Sequence, residues 1–400
     1  MKGRTQGGRE WRSRLASVAR LAFALALLAA PALAQAAKPG DLDRSFGNHG
    51  KVQACGSHGG HFVPIAIDAH NRIVSGGGCL SRTLQSGRPD RAFGYRGGGH
   101  ALAFDGPRII VAGSGAKLLP SAGQHGSFAV ARDKSNGHAD HSFDQSGFSD
   151  PNASALAVAV DSHHRPVVAG YTKSATDTDV HLVRFKWNGA PDPSFGDGGK
   201  VTTDFGTDSD YAASVGIDSG GRIVVGGGGE RFELARYQPD GTLDPSFGND
   251  GKVTTDFGDR SRLNSIAIDA HNRIVAAGAA PNDEFALARY KPNGRLDRSF
   301  SHNGKVTGPL RGNFSGAGFV GIDSRRRIVA VGGGGVTSFL IARYKPNGSL
   351  DRSFGRDGMV KTDSGSSSVW SAAIDSRDRI VVAAGHAEGV LARFIGYRRR

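Results

Sequence analysis

Apolar and polar residues alternate along this chain in short runs, and glycine, aspartate or asparagine closes most of them. In the stretch from Tyr211 to Thr255, residues 211–217 alternate and end at Asp218, then Ser219-Gly220-Gly221 turns the chain. Arg222–Val225 is a second apolar run, Gly226–Gly229 reads as a turn, and Phe232–Tyr237 alternates again. A polar Pro239-Asp240-Gly241 turn follows, and Lys252-Val253-Thr254-Thr255 closes the unit. Period-two alternation over four to eight residues, bounded by such turns, predicts β-strands. No stretch after the first 37 residues keeps the 3.6-residue period of a helix, so each unit is expected to be four short strands.

The unit recurs. Leu42-Asp43-Arg44-Ser45-Phe46-Gly47 has counterparts ending in Phe93, Phe143, Phe195, Phe247, Phe300 and Phe354, at spacings of 47, 50, 52, 52, 53 and 54 residues. One four-stranded sheet of this size cannot bury both of its faces, but stacked repeats cover one another. Four-stranded units near this period predict a closed ring, an all-β seven-bladed β-propeller spanning residues 38–397. The chain opens with a segment of the fourth-strand type, residues 51–54, and stops after one of the third-strand type, residues 390–394. The N-terminal strand is therefore expected to join the last blade and fasten the ring. The alternative, seven units simply in series, is left open by the pattern.

One unit departs from the rest. Only 16 residues separate Phe93 from Ile109, where most other units have 26 to 28, so a fourth strand is expected to be missing there. The next unit carries an unusual loop over residues 114–127. Loops on a rigid frame carry binding residues, and Tyr95, Arg96, Lys117 and His125 are the candidate ligand region on this ground, against simple decay of one repeat.

Residues 1–37 are set apart. A basic stretch precedes an apolar run, Leu21 to Ala34, that ends in Ala32-Leu33-Ala34. This is the layout of a secretory signal peptide, cleaved near residue 34 or 37, and the run is too short to span a bilayer comfortably. A secreted or periplasmic protein with no membrane span after cleavage is expected. The leader's six Lys/Arg and one Glu account for +5 of the formal +13, leaving +8. That charge is dispersed at repeat-fixed positions, with Arg398-Arg399-Arg400 as a basic tail, and a nucleic-acid face would instead be clustered and interleaved with aromatics. The two cysteines, Cys55 and Cys79, would be bound for an oxidising compartment, where a structural disulfide is the expected state.

The recurring strings Leu-Asp-x-Ser-Phe-Gly-x-x-Gly-x-Val, Ile-Asp-x-x-x-Arg-Ile-Val-Val-Ala-Gly and Phe-Ala-Leu-Ala-Arg-Tyr-x-Pro-Asn/Asp-Gly resemble the delta-60 repeat family of exported bacterial proteins. The resemblance covers residues 40–395. It implies a β-propeller in a bacterial, extracytoplasmic setting and implies no activity.

Recurrence separates frame from site, because one active site does not need seven copies. Asp68, Asp161, Asp218, Asp269, Asp323 and Asp375 each close a first strand, and Arg72, Arg165, Arg222, Arg273, Arg327 and Arg379 follow four residues later. An Asp at a turn can accept the turn's own N–H groups and pair with the Arg. Third-strand arginines, Arg132 to Arg393, are expected to pair with the Asp of the Phe motif, though none follows Arg393. Phe195, Phe247, Phe300 and Phe354 read as core. Asp177-Thr178-Asp179, Asp204 with Asp208 and Asp210, and Asp256 with Asp259 offer hard oxygen ligands to calcium. None has the spacing of a dedicated loop, so polar turns are the expected reading and no cofactor is predicted.

Eleven of the fourteen histidines lie between His49 and His181, but no pair, including His58/His61 and His138/His141, is spaced to converge on a metal. No nucleophile elbow, zinc-helix motif or phosphate loop is present. The expectation is a non-catalytic exported scaffold, a monomer that binds a protein, glycan or small molecule. The alternative is a propeller enzyme of lyase, hydrolase or sugar-dehydrogenase type with a site in the central channel.

Overall fold

Runs such as Ile223-Val224-Val225-Gly226-Gly227 are apolar throughout because the strand they form is buried on both faces, between two neighbouring sheets. The computed structural model describes residues 37–397 apart from 55–62, 78, 95–96, 114–126, 145–146, 151, 208, 309–313, 335–337, 364–368 and 386–388. The leader to residue 36 and the basic tail lie outside the described residues.

After β1 (Lys51–Gln53), the first sheet holds β2 (Ile65–Ile67), β3 (Ile73–Ser75) and β4 (Ser81–Thr83). The second holds β5 (Ala101–Asp105), β6 (Arg108–Gly113), β7 (Ser127–Asp133) and β8 (Phe148–Ser149). The third holds β9 (Ala153–Val160), β10 (Pro166–Lys173), β11 (Thr178–Arg184) and β12 (Lys200–Thr203), and the fourth β13 (Ala212–Ile217), β14 (Ile223–Gly227), β15 (Phe232–Tyr237) and β16 (Lys252–Thr255). The fifth holds β17 (Arg262–Ile268), β18 (Ile274–Ala280), β19 (Glu284–Tyr290) and β20 (Lys305–Thr307), and the sixth β21 (Phe314–Ile322), β22 (Ile328–Gly334), β23 (Ser338–Tyr344) and β24 (Met359–Asp363). β25 (Val369–Ile374), β26 (Ile380–Gly385) and β27 (Gly389–Phe394) make the last. All pairings are antiparallel meanders. The first sheet has three strands among the described residues, which agrees with the short Phe93–Ile109 interval.

Seven sheets share seven apolar cores, one at each interface. An open stack of seven would have six. The seventh joins Val381, Ala383 and Leu391 of the last sheet to Val63, Ile65 and Ile73 of the first, with Phe46 between them. The first strands run edge to edge around the axis, each in contact with the next, and β25 returns to β2. The fold is a seven-bladed β-propeller. β1 lies antiparallel against β27, with Lys51 opposite Ala392 and Gln53 opposite Val390. The fourth strand of the last sheet thus comes from the chain's beginning.

Two details differ from the sequence reading. Gly226 and Gly227 are not turn residues but the end of β14. A β-bulge in β13 pushes the Tyr211 carbonyl toward the next strand, and a Cβ on Gly227 would lie 1.6 Å from that oxygen. Gly278 meets the Arg262 carbonyl the same way, at 1.9 Å, so glycine serves close approach here rather than chain reversal. The alternating polar positions of β15 also do not face water. Glu233 and Arg236 point to opposite faces of the strand and are both buried, because a neighbouring sheet covers each face.

The bulges also place serines that stitch the inner ring. Ser214 Oγ accepts from the Ile266 N–H at 3.2 Å and Ser265 Oγ from the Val320 N–H at 3.1 Å. Each bond crosses from one sheet to the next.

Candidate functional site

An arginine side chain buried in a strand must find a carboxylate and further acceptors, or its desolvation goes uncompensated. Arg236 on β15 finds all of them. Its Nε donates to Asp244 Oδ2 at 2.8 Å, one terminal nitrogen donates to Ser246 Oγ at 3.1 Å, and the other donates to the Pro292 carbonyl of the next sheet. Its guanidinium stacks 4.6 Å from the centroid of Phe247. The same set recurs for Arg184 with Asp192, Arg289 with Asp297, and Arg343 with Asp351.

Two members of this series were not legible in the chain order. Arg82 pairs with Asp90 at 2.8 Å, in a strand whose next residue, Thr83, replaces the usual aromatic and hides the motif. Arg393, which has no Asp after it, takes Asp43 from the other end of the chain at 2.9 Å. Each of the seven arginines also donates to a carbonyl of the following sheet, Arg393 to Gln85 at 2.7 Å. Burial alone would push the Asp carboxyls up, but hydrogen bonds from the neighbouring Ser or Ala and the Arg charge hold them below the usual range, Asp140 to about 2.

The first-strand aspartates form the second repeated pair. Asp68, Asp218 and Asp269 accept from Nε of Arg72, Arg222 and Arg273 at 2.6 to 2.7 Å, and each also accepts turn N–H groups. Phe195, Phe247, Phe300 and Phe354 are fully buried. These groups are spent on the frame.

What the frame does not absorb is an acidic group between the third and fourth sheets. β12 ends where β11 begins, with Thr203 opposite Val180, so Asp204 stands beside Asp179 and Asp177. The three carboxylates offer oxygens within 4.8 Å of one another. Asp210, just before β13, donates its backbone N–H to the Thr178 carbonyl at 2.7 Å and so enters the same group. Behind it lies Glu233, only 2% exposed, with no hydrogen-bond partner for either carboxylate oxygen.

None of these five acids is within salt-bridge distance of a Lys or Arg among the described residues. Lys252 approaches, but its Nζ donates to the Asp204 backbone carbonyl, at 2.5 Å. Burial first, then the neighbouring carboxylates, pushes Asp179 and Glu233 up, Glu233 to about 8. Asp210 is also raised, burial and Asp204 together outweighing the hydrogen bonds from Thr207 and Phe205.

A raised carboxyl binds its proton more tightly folded than unfolded, so its stabilising share is complete below pH 4.5 and lost as pH climbs toward 8. Glu233→Gln is therefore expected to raise the midpoint of urea unfolding at pH 8.5 in chelator-containing buffer and to change it little at pH 4. An equal effect at both pH values would refute the assignment.

Of the residues singled out in the sequence, Asp177, Asp179, Asp204 and Asp210 come together. Asp256 and Asp259 do not join them, and Asp208 lies outside the described residues. So do Tyr95, Arg96, Lys117, His125 and Cys55, while Cys79 is disulfide-bonded. His138 and His141 are exposed turn residues. Glu233 was missed. Strand pairing aligns it with Ala286 in the fifth sheet and His181 in the third, so the signal was a buried acid in a mostly apolar repeat column.

Four segments of the chain, residues 167–195, 220–247, 272–300 and 327–354, match the family model described as a domain of unknown function (DUF5122) beta-propeller. Each ends on the repeated Phe. No curated protein sequence matches the chain. Among solved structures, the WD40 beta propeller domain of Doa1 aligns with TM-score 0.52 at 12% identity, over 85% of this chain and 95% of that one. An extracellular domain from B. thetaiotaomicron aligns with TM-score 0.48 at 10% identity, over 84% of this chain and 39% of that one. At such identities the likeness is one of fold.

Proposed function

We propose that this chain is an exported, non-catalytic propeller that serves as a rigid binding or structural scaffold at or outside the cell envelope. The observation that carries the reading is how completely the frame consumes the repeated polar groups. Seven arginines hold seven aspartates, and each also bonds the following sheet, so these two repeated sets of charges are taken up by the frame.

The inner strands agree. Their described residues are mainly Ala, Val, Ile, Gly and Ser, and the charged ones are Asp105 and Arg262. Asp105 accepts from His164 Nδ1 at 2.5 Å, and Arg262 Nη2 lies 3.3 Å from Asp283. Among the described residues no helix is long and apolar enough to cross a membrane. The basic leader with its apolar run supports export.

The test is to express the full chain, fractionate the cells, and sequence the N-terminus of the mature protein. Processing near residue 34 or 37 and recovery outside the cytoplasm are expected, together with co-sedimentation of the purified protein with isolated envelope. Unprocessed protein in the cytoplasm would overturn the export reading. Turnover of a chromogenic glycoside, ester or polyuronate, or dye reduction by a sugar, would overturn the non-catalytic one.

A further inference from the structure

Hard, oxygen-rich groups held close without counter-charge repel one another, and a bound cation relieves that repulsion. We propose that Asp177, Asp179 and Asp204, backed by Glu233, form a site for a divalent cation of the calcium class at the junction of the third and fourth sheets. Three carboxylates converging within 4.8 Å supply up to six oxygens. Calcium takes six to eight at roughly 2.3–2.6 Å and tolerates irregular geometry, whereas magnesium demands near-ideal octahedra.

A cluster of surface acids alone would not carry this. The independent observation is Glu233, a side chain buried to 2% exposure with both oxygens unpartnered. It shares a face of β15 with Ala235 and Tyr237, and that face packs on Val180 and Leu182 of β11. It therefore looks toward the strand that carries Asp179. Gly228, at φ +95°, leaves room for the carboxylate, since a Cβ there would sit 2.7 Å from Glu233 Oε2. Asp179 Oδ1 is likewise buried without a partner. Asp177 Oδ1 accepts the Thr178 N–H at 2.6 Å, which orients that carboxylate.

The rest of the ring provides the contrast. Asp256 occupies the place of Asp204 one sheet later, but strand register puts Arg231 where Asp179 would be and Ala286 where Glu233 would be. Among the described residues the acids converge at this junction, and the next junction repeats the frame without them. The site would pin the β11 and β12 ends of one sheet against the entry to β13 of the next.

Titration calorimetry on the full mature chain, stripped with chelator and dialysed, tests this with calcium chloride and then with magnesium chloride. One saturable calcium event is expected, with Kd on the order of 10⁻⁴–10⁻³ M as in extracellular calcium modules. Magnesium is expected to bind more weakly. Asp179→Asn should weaken calcium at least ~10-fold, and Glu233→Gln by a smaller factor, because it backs the ion without ligating it. Asp256→Asn should leave calcium binding unchanged. Circular dichroism of each variant separates loss of the site from loss of the fold. Absence of saturable heat in the wild-type chain, or undiminished binding in folded Asp179→Asn, would overturn the proposal.

Discussion

Replacing Arg236 with Met is expected to cost about 3–5 kcal/mol of folding stability, since it strands the Asp244 carboxylate in the interior without its counter-charge. The side chain is among the largest fully buried ones, and Asp244 is 1% exposed. The loss reaches beyond one pair. The guanidinium bonds Ser246 and the Pro292 carbonyl and stacks on Phe247, so the fourth sheet also loses a direct tie to the fifth.

Arg236→Lys should not restore the wild-type value, because an ammonium cannot reproduce the planar fork that reaches all of these acceptors. Arg236→Met with Asp244→Leu should cost less than Arg236→Met alone, because the carboxylate no longer remains buried unpaired. Urea unfolding of the three variants reads this directly. A single variant within about 0.5 kcal/mol of wild type, the range of ordinary surface changes, would remove the arginine from the frame.

Deleting residues 38–54 should have the largest effect of all. The segment supplies β1 as the outer strand of the last sheet, Asp43 as the partner of Arg393, and Phe46 between the last and first sheets. A buried charge left alone costs about 3–5 kcal/mol, and loss of a buried Phe a similar amount. Together these rival the entire net stability of an ordinary domain, about 5–15 kcal/mol. The deletion also exposes the edge of β27, and an unpaired strand edge recruits other chains.

The truncated protein is therefore expected to elute as aggregates or swapped oligomers. A synthetic peptide of residues 38–54 added during refolding should restore monomer. Asp43→Ala isolates the electrostatic part and should cost nearly as much as Arg236→Met. A monomeric truncated chain with unchanged thermal midpoint would show that the first strand does not hold the ring shut.

Much of this molecule is local in origin, and that part was readable. The turns at Asp218-Ser219-Gly220-Gly221 and Pro239-Asp240-Gly241 form because glycine takes positive φ and aspartate accepts nearby N–H groups, both properties of a few adjacent residues. The repeat of such units fixed the number of sheets. The short Phe93–Ile109 interval agrees with a first sheet of three strands among the described residues. The pairing of the first-strand Asp with the Arg four residues on spans a single hairpin, and the sequence spacing suffices to give it.

Contacts between sheets were decided only in three dimensions. Gly227 looked like a turn residue because the carbonyl that excludes its Cβ belongs to the bulge of β13, sixteen residues away. Arg393 looked unpaired because its carboxylate lies 350 residues earlier in the chain. Glu233 looked like the polar half of an alternating strand because nothing in its own sheet says that the third sheet will cover it. Asp177, Asp179, Asp204 and Asp210 were visible as acids in turns, but their convergence depends on how β11 and β12 end against the start of β13. Spacing along a chain encodes hydrogen bonds that close within a hairpin. It does not encode which side chains two separately formed sheets press together, because that follows from the packing of their faces.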